Sequence, residues 1–228
     1  MKKRPIFFRI NVSIPDSIQL TRDEIVHLKS LRLYQIDKTI EIRDGKGNSY
    51  IFPIPPNENQ GELVETIKHE IQEPPIKIAT AIPQSGKFEF LLQKCTEIGV
   101  REFHFINFFH SERRDFNLDR ANKIFLESAA QCERHTIPEI FLHKTLEEFL
   151  NKNKLAYCLM PRVETRIKDF PFDRFQIPVV GPEGGFGKNE LLLLESKKIP
   201  MVNIGNNILR IETACIFMAS VLQYHLLI

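Results

Sequence analysis

The sequence predicts a small β domain over residues 1–72 followed by an α/β domain over residues 73–228. Three observations predict it. The first seventy or so residues are dominated by short β-like runs. Beyond a Pro-Pro step at 74–75, strand-like and helix-like patterns alternate. Four of the chain's 10 glycines fall within the seven positions 181–187, where a strand runs into a loop and then a helix. Alternating strands and helices give a parallel sheet covered on both faces.

The first domain reads as "PIFFRI", "KTIEIRDGKGNSYIFPI" and "GELVETIKHEI", with one helical stretch at "TRDEIVHLKSLR". Asp44-Gly45 and Gly47-Asn48 lie between two alternating segments and predict a hairpin, because these residues tolerate the positive φ of tight turns. "QEPPIK" reads as a linker, since consecutive prolines extend neither a helix nor a central strand, and it puts the boundary near Glu73.

In the second domain "IKIATAIP" is a continuous apolar strand. "KFEFLLQKCTEIG" carries Phe88, Leu91, Leu92, Cys95 and Ile98 at helical spacing and stops at Gly99. "VREFHFINFF" is a strand, and Leu118, Ala121, Phe125, Ala129 and Cys132 mark the next helix. "KLAYCLM", "IPVVG" and "PMVNIG" are strands, with helices beginning near Lys188 and Glu212; the closing "CIFMASVLQYHLLI" reads as a buried helix, too short and too interrupted to span a bilayer.

With 43% hydrophobic and 26% charged residues, the 228-residue chain has the composition of a folded soluble protein. Its formal charge of +2 permits a nucleic-acid partner without arguing for one. No signal peptide opens it. Cys95, Cys132, Cys158 and Cys215 stand singly, which argues against zinc and against a disulfide framework and predicts free thiols in a reducing cytoplasm. The histidines lack H-x-x-x-H spacing, so no metal is expected, and His27, His104 and His135 read as structural or surface residues. A P-loop, a Rossmann G-x-G-x-x-G after the first α/β strand and a G-x-S-x-G elbow are all missing.

Ligands of parallel α/β sheets sit outside the carboxyl ends of the strands. Three segments occupy that position: "LMPR" (159–162), "GPEGGFG" (181–187) and "IGNNILRIETA" (204–214). Taken singly, each also reads as an ordinary strand end or turn, and Arg210 with Glu212 as a surface ion pair. Together, at one sheet edge, they point to a binding site.

"GPEGGFGKNE" followed by "IGNNILRIETA" resembles the SPOUT-class RNA methyltransferases, and within them the RsmE family of 16S ribosomal RNA uridine-N3 methyltransferases. "FFR" near the start, "HLKSLR" (27–32), "IRDGKGNSY" (42–50), "KFEFLLQKCTEIGV" (87–100), "SERR" (111–114), "ESAAQCERHTIPEI" (127–140) and "LMPR" fit the same pattern, so the resemblance runs nearly end to end. It implies a PUA-like β-barrel for RNA in the first domain and a deep trefoil knot in the second, a device that periodicity does not reveal. It further implies S-adenosylmethionine bound in the knot, a homodimer, and N3-methyluridine at position 1498 (usual RNA numbering) of 16S ribosomal RNA in the small subunit. The cofactor positions would be Leu159, Pro161, Gly181, Pro182, Gly184, Gly185, Ile204, Gly205, Asn206, Ile208, Leu209, Thr213 and Ala214. Arg210, Glu212 and Glu183 would carry the chemistry, and Arg9, Arg32, Arg113, Arg114 and Arg134 would contact RNA phosphates.

Three positions depart from the family pattern: Asn207 where arginine is usual, Ile211 where threonine is usual, and Gly187 where serine is common. Asn207 and Ile211 keep open an RNA-binding module without catalysis, and methylation of a different RNA site stays open because loop motifs identify the cofactor better than the base.

Overall fold

In the computed structural model, residues 4–71, 73–173 and 175–227 are described. The chain splits into two compact units, Met1–Gln72 with Ala129–Ile137, and Glu73–Ser128 with Pro138–Ile228. Inclusion of Ala129–Ile137 in the first unit is a non-local association that no local pattern announces.

The first unit contains β1 (Ile6–Phe8), β2 (Ser17–Gln19), α1 (Arg22–Ser30), β3 (Lys38–Arg43), β4 (Asn48–Ile54), β5 (Gln60–Glu62) and β6 (Glu65–Lys68). Thr21 starts α1 with a reciprocal cap: its hydroxyl accepts from the Glu24 N–H at 3.2 Å, and the Glu24 carboxylate accepts from the Thr21 N–H at 2.7 Å. The predicted hairpin joins β3 to β4. Gly45 and Gly47 hold φ of 75° and 98°, and the Asp44 carboxylate accepts from the Lys46 and Asn48 N–H groups. The strands form a four-stranded sheet in the order β1-β3-β4-β6, with only β1 and β3 parallel, beside the antiparallel pair β2-β5. Among the described residues these sheets do not close into a barrel. Ile18, Leu20, Leu28, Ile40, Ile42, Phe52 and Ile54 form the core.

The second unit runs β7 (Ile76–Thr80), α2 (Ser85–Ile98), β8 (Val100–Ile106), α3 (Leu118–Gln131), β9 (Glu139–His143), α4 (Leu146–Lys152), β10 (Ala156–Leu159), β11 (Ile177–Val180), α5 (Lys188–Ser196), β12 (Met201–Val202) and α6 (Ile211–Leu227); the last residues of α3 fall in the first unit. Its six strands are all parallel, in the order β12-β10-β11-β7-β8-β9. The predicted α/β class and parallel sheet are therefore present. Gly99 ends α2 at φ 122°, with its N–H on the Cys95 and Thr96 carbonyls, as the sequence anticipated. Phe103 of β8 and Phe125 of α3 are fully buried, ring centroids 5.2 Å apart.

Four details differ from the sequence reading. The strand predicted through Phe109 stops at Ile106, and the chain turns so that Phe108 is buried while Phe109 is 75% exposed. Leu118 opens α3 facing solvent together with Asp119 and Arg120, and burial begins at Ala121. The final helix is not buried all round: Met218, Ala219 and Leu222 pack inward, but Phe217 and Tyr224 face out. Finally, β9 and α4 carry no strong pattern. β9 is an edge strand with mostly exposed side chains, and α4, seven residues long, is held by the Thr145 cap on the Glu148 N–H and by burial of Leu146, Phe149 and Leu150.

Candidate functional site

The three predicted loops leave adjacent strands at one level. Leu159 at the end of β10 is in register with Val180 of β11 and with Val202 of β12, and Val180 is in register with Thr80 of β7. In a parallel sheet this row fixes a common carboxyl edge, from which the segments after 159, 180 and 202 all emerge.

Backbone bonds tie the first and third loops together. The Met160 N–H donates to the Val202 carbonyl at 2.9 Å, the Asn203 N–H to Thr165 at 2.8 Å, and the Ile167 N–H to Asn203 at 2.9 Å. The Asn203 side chain accepts from the Gly205 N–H at 3.0 Å. Leu159 is buried, Pro161 and Asn206 are exposed, and Ile208 is 72% exposed.

The glycine loop is a tight turn closed by the Gly185 N–H on the Pro182 carbonyl at 2.8 Å, with Gly185 at φ 74°. A Cβ added at Gly181 would touch the Phe186 ring at 3.1 Å; at Gly184 it would touch His110 Cβ at 3.0 Å, and at Gly187 Phe109 Cβ at 2.9 Å. At Gly185 and Gly205 it would meet nothing within 4 Å, so the loops present bare backbone there. Gly187 caps α5 without a hydroxyl to offer; only the reciprocal half of a capping box forms, the Glu190 carboxylate accepting from the Gly187 N–H at 2.7 Å.

The carboxylates proposed from sequence have different surroundings. Glu183 is exposed and ion-paired, its Oε1 2.8 Å from Lys87 Nζ. Glu212 in the first turn of α6 is 8% exposed, and its Oε2 is buried with no hydrogen-bond partner among the described residues. Arg210 lies exposed just before α6, where its carbonyl accepts from the Ala214 N–H. Thr213 is exposed, whereas Ile211, Ala214 and Cys215 are buried. Burial, helped by the nearby Glu212 charge, pushes the Cys215 thiol up to about 12, so it stays protonated and unreactive.

Sequence reading missed Lys87, His110 and Glu190, all of which touch the glycine loop. Glu190 had a usable signal, standing three residues after the cap Gly187 in capping-box spacing. Lys87 and His110 had none, since their contacts join residues 96 and 75 positions apart.

The one group with metal-ligating side chains among the described residues lies elsewhere, in the first unit: single ligand atoms of Glu41, His69 and His135 lie within 4.8 Å of one another. The His69 and His135 rings stack face to face, centroids 3.4 Å apart and planes 7° apart, so one ion cannot lie in the plane of both. Glu41 already accepts from Arg43 at 2.6 Å and from Ser49 at 2.7 Å. His135 is thus a packed residue. His104 is also internal, 5% exposed, with its Nδ1 3.0 Å from His143 Nε2; His27 is exposed beside Phe7.

A family model describing an RNA methyltransferase domain matches residues 71–223, a span that includes all three loops. A Mesomycoplasma hyopneumoniae protein named ribosomal RNA small subunit methyltransferase E is 31% identical, over 92% of this chain and 96% of that protein. The chain belongs to the ribosomal RNA small subunit methyltransferase E family. A Rickettsia conorii relative of the same name is 28% identical over 95% of this chain and 93% of its own. In fold, the chain is similar to the Neisseria gonorrhoeae ribosomal RNA small subunit methyltransferase E crystal structure bound to S-adenosyl methionine, with a TM-score of 0.79, 22% identity and 98% of each chain covered.

In this RNA methyltransferase the five arginines proposed to meet RNA divide between the units. Arg9, Arg32 and Arg134 belong to the first. Arg9 is engaged within it, donating to Glu24 at 2.8 Å and to the Gln19 carbonyl at 2.9 Å; Arg32 is exposed at the end of α1, and Arg134 donates to the Thr136 hydroxyl. Arg113 and Arg114 belong to the second. Arg114 is exposed, while Arg113 lies over the Phe88 ring at 5.4 Å with Nη1 buried and without a hydrogen-bond partner among the described residues. No described helix is long and apolar enough to cross a membrane.

Proposed function

We propose that this RNA methyltransferase transfers the methyl group of S-adenosylmethionine to N3 of a uridine in the 16S ribosomal RNA of the small subunit, in the cytoplasm. The observation that carries the proposal is the register row Val202–Leu159–Val180, which brings three loops of the family pattern to one edge. The cofactor fits what the loops offer. Gly185 and Gly205 leave open backbone where a Cβ would meet nothing, and such bare donors and acceptors suit a flat nucleoside. Backbone around Leu159, Gly181, Gly184, Ile204 and Leu209 would complete the enclosure.

Bound there, S-adenosylmethionine supplies a methyl carbon activated by a positive sulfonium. The protein's own tasks are alignment and charge. Holding two reactants in line is worth up to about 7–11 kcal/mol in favourable cases. Uridine N3 carries a proton at neutral pH that must leave, and Glu212 accepts it; its buried Oε2, without a hydrogen-bond partner among the described residues, favours this residue over Glu183, which Lys87 already neutralises. Negative charge then spreads to the flanking uracil oxygens, where the exposed Arg210 guanidinium stabilises it.

The same reading makes the first unit a PUA-like domain that grips RNA, with sheets that stay open among the described residues, the loops after β10, β11 and β12 a trefoil knot, and the working form a homodimer. The outward-facing Phe217 and Tyr224 of α6 support a covered face there.

The test is methyl transfer from labelled S-adenosylmethionine to small ribosomal subunits from cells lacking this gene, with the product mapped by mass spectrometry. A single N3-methyluridine in 16S ribosomal RNA is the expected result. Transfer to another nucleotide would refute the assigned base, and binding of cofactor without transfer would make Asn207 and Ile211 the first residues to revert.

A further inference from the structure

The glycine loop is braced from outside by a segment that no catalytic reading uses. After β8 the chain folds over the loop, and two polar contacts fasten it. The His110 Nδ1 lies 3.0 Å from the Gly185 carbonyl; since a carbonyl only accepts, Nδ1 carries the hydrogen and donates. The two oxygens of Glu190 hold both strands of this junction, Oε1 accepting from the Phe109 N–H at 2.9 Å and Oε2 from the Gly187 N–H at 2.7 Å. Close packing adds to this, for a Cβ at Gly187 would stand 2.9 Å from Phe109 Cβ and one at Gly184 3.0 Å from His110 Cβ.

We infer that His110 and Glu190 are positioning residues that lock the 181–187 loop in its cofactor-binding shape before the cofactor arrives. Gly185 sits at φ 74° in a turn exposed to water, and a glycine-rich loop left unsupported samples many conformations. A loop already held in one shape binds without first being ordered, which raises affinity with no added contact. Glu190 suits the part because it is half-buried and sits in the first turn of α5, so the brace is anchored to a regular element. His110 grips the loop at the residue whose face is open.

This inference rests on the reading of the loop as the S-adenosylmethionine site, and the experiment keeps the two separate. Amide hydrogen exchange of residues 181–190 is measured on the cofactor-free protein, and S-adenosylmethionine affinity by titration calorimetry, for the wild type, His110→Ala, His110→Asn and Glu190→Ala. His110 is exposed, so its replacement leaves folding intact; Asn places an N–H near the Nδ1 position. In the alanine variants loop exchange is expected to accelerate on the order of tenfold, and the cofactor Kd to rise by roughly tenfold. His110→Asn restores most of both, which a purely structural loss would not do. Wild-type exchange in both alanine variants overturns the brace, whatever the cofactor does. Faster exchange in the alanine variants, together with a wild type that takes up no S-adenosylmethionine, would uphold the brace and sink the cofactor reading instead.

Discussion

Lys87 Nζ stands 2.8 Å from Glu183 Oε1, pinning the glutamate of the glycine loop to the first turn of α2. The pair separates the two acids of the candidate site. Glu183 is committed to a cation at the surface, while Glu212 keeps a buried oxygen without a partner among the described residues.

The two carboxylates should therefore respond differently to neutralisation. Glu212→Gln is expected to lower the methyl-transfer rate by about 10²–10⁴-fold, the usual worth of a general base. Glu183→Gln and Lys87→Ala should each cost less than about tenfold, with stability changed by less than about 1 kcal/mol because the pair is partly exposed. Equal losses at 183 and 212 in single-turnover assays would contradict the assignment.

Arg210→Ala should keep cofactor affinity within a few-fold and cut transfer by about 10²–10³-fold, because charge on the uracil oxygens appears only as the reaction proceeds. Parallel calorimetry and single-turnover kinetics read both quantities. Lost binding would make Arg210 part of the pocket wall instead.

Restoring the family's serine at the α5 cap should not stabilise this chain. A serine cap is worth only a few tenths of a kcal/mol over glycine. The new Cβ would stand 2.9 Å from Phe109 Cβ, an atom close to the backbone that cannot swing away. Gly187→Ser is expected to destabilise by about 1–3 kcal/mol, in the range for overpacking. Adding Phe109→Ala leaves that Cβ in place, so it should recover only part of the loss in thermal melts.

Tyr157 is fully buried against Phe170, and its hydroxyl finds no partner among the described residues, which drives the phenol far above its ordinary pKa by burial alone. Tyr157→Phe should stabilise by about 1 kcal/mol. For a protein of this size the melting temperature would rise by about 2–4 °C. A fall would mean the hydroxyl has a partner, such as a buried water.

Burial, with the nearby Arg43 and His69, depresses the His135 imidazole to about 4. The folded state therefore favours the neutral ring. Its stabilising contribution is complete above about pH 6.5 and is lost as pH falls from there through 4. After discounting for solvent screening the effect is on the order of 1 kcal/mol. His135→Gln should flatten the acid side of the stability curve over that window, and denaturant melts from pH 7 to 4 would detect it.

Much of the fold was legible because local chemistry sufficed. Thr21 with Glu24 marks the start of α1, Asp44 to Asn48 the hairpin, and Gly99 the end of α2, each through contacts a few residues apart. β9 and α4 escaped because an edge strand needs no apolar alternation and a two-turn helix is too short to display a period. The exposed apolar face of α6 escaped for a different reason: its composition is that of a buried helix, and exposure depends on what packs beside it.

By itself the sequence determined most of the element types, though not β9 or α4, the alternation that makes the second sheet parallel, and the three loop motifs that carry the family resemblance. Only the tertiary structure decided which carboxylate is committed to a cation and which keeps a free buried oxygen, that Ala129–Ile137 joins the first unit, and that His110 and Glu190 fasten the glycine loop. The reason is distance along the chain. Local pattern records contacts a few residues apart, whereas the Lys87–Glu183 pair and the bonds from the segment after β8 to the glycine loop close gaps of 75 to 96 residues, which exist only once the sheet has aligned its strand ends.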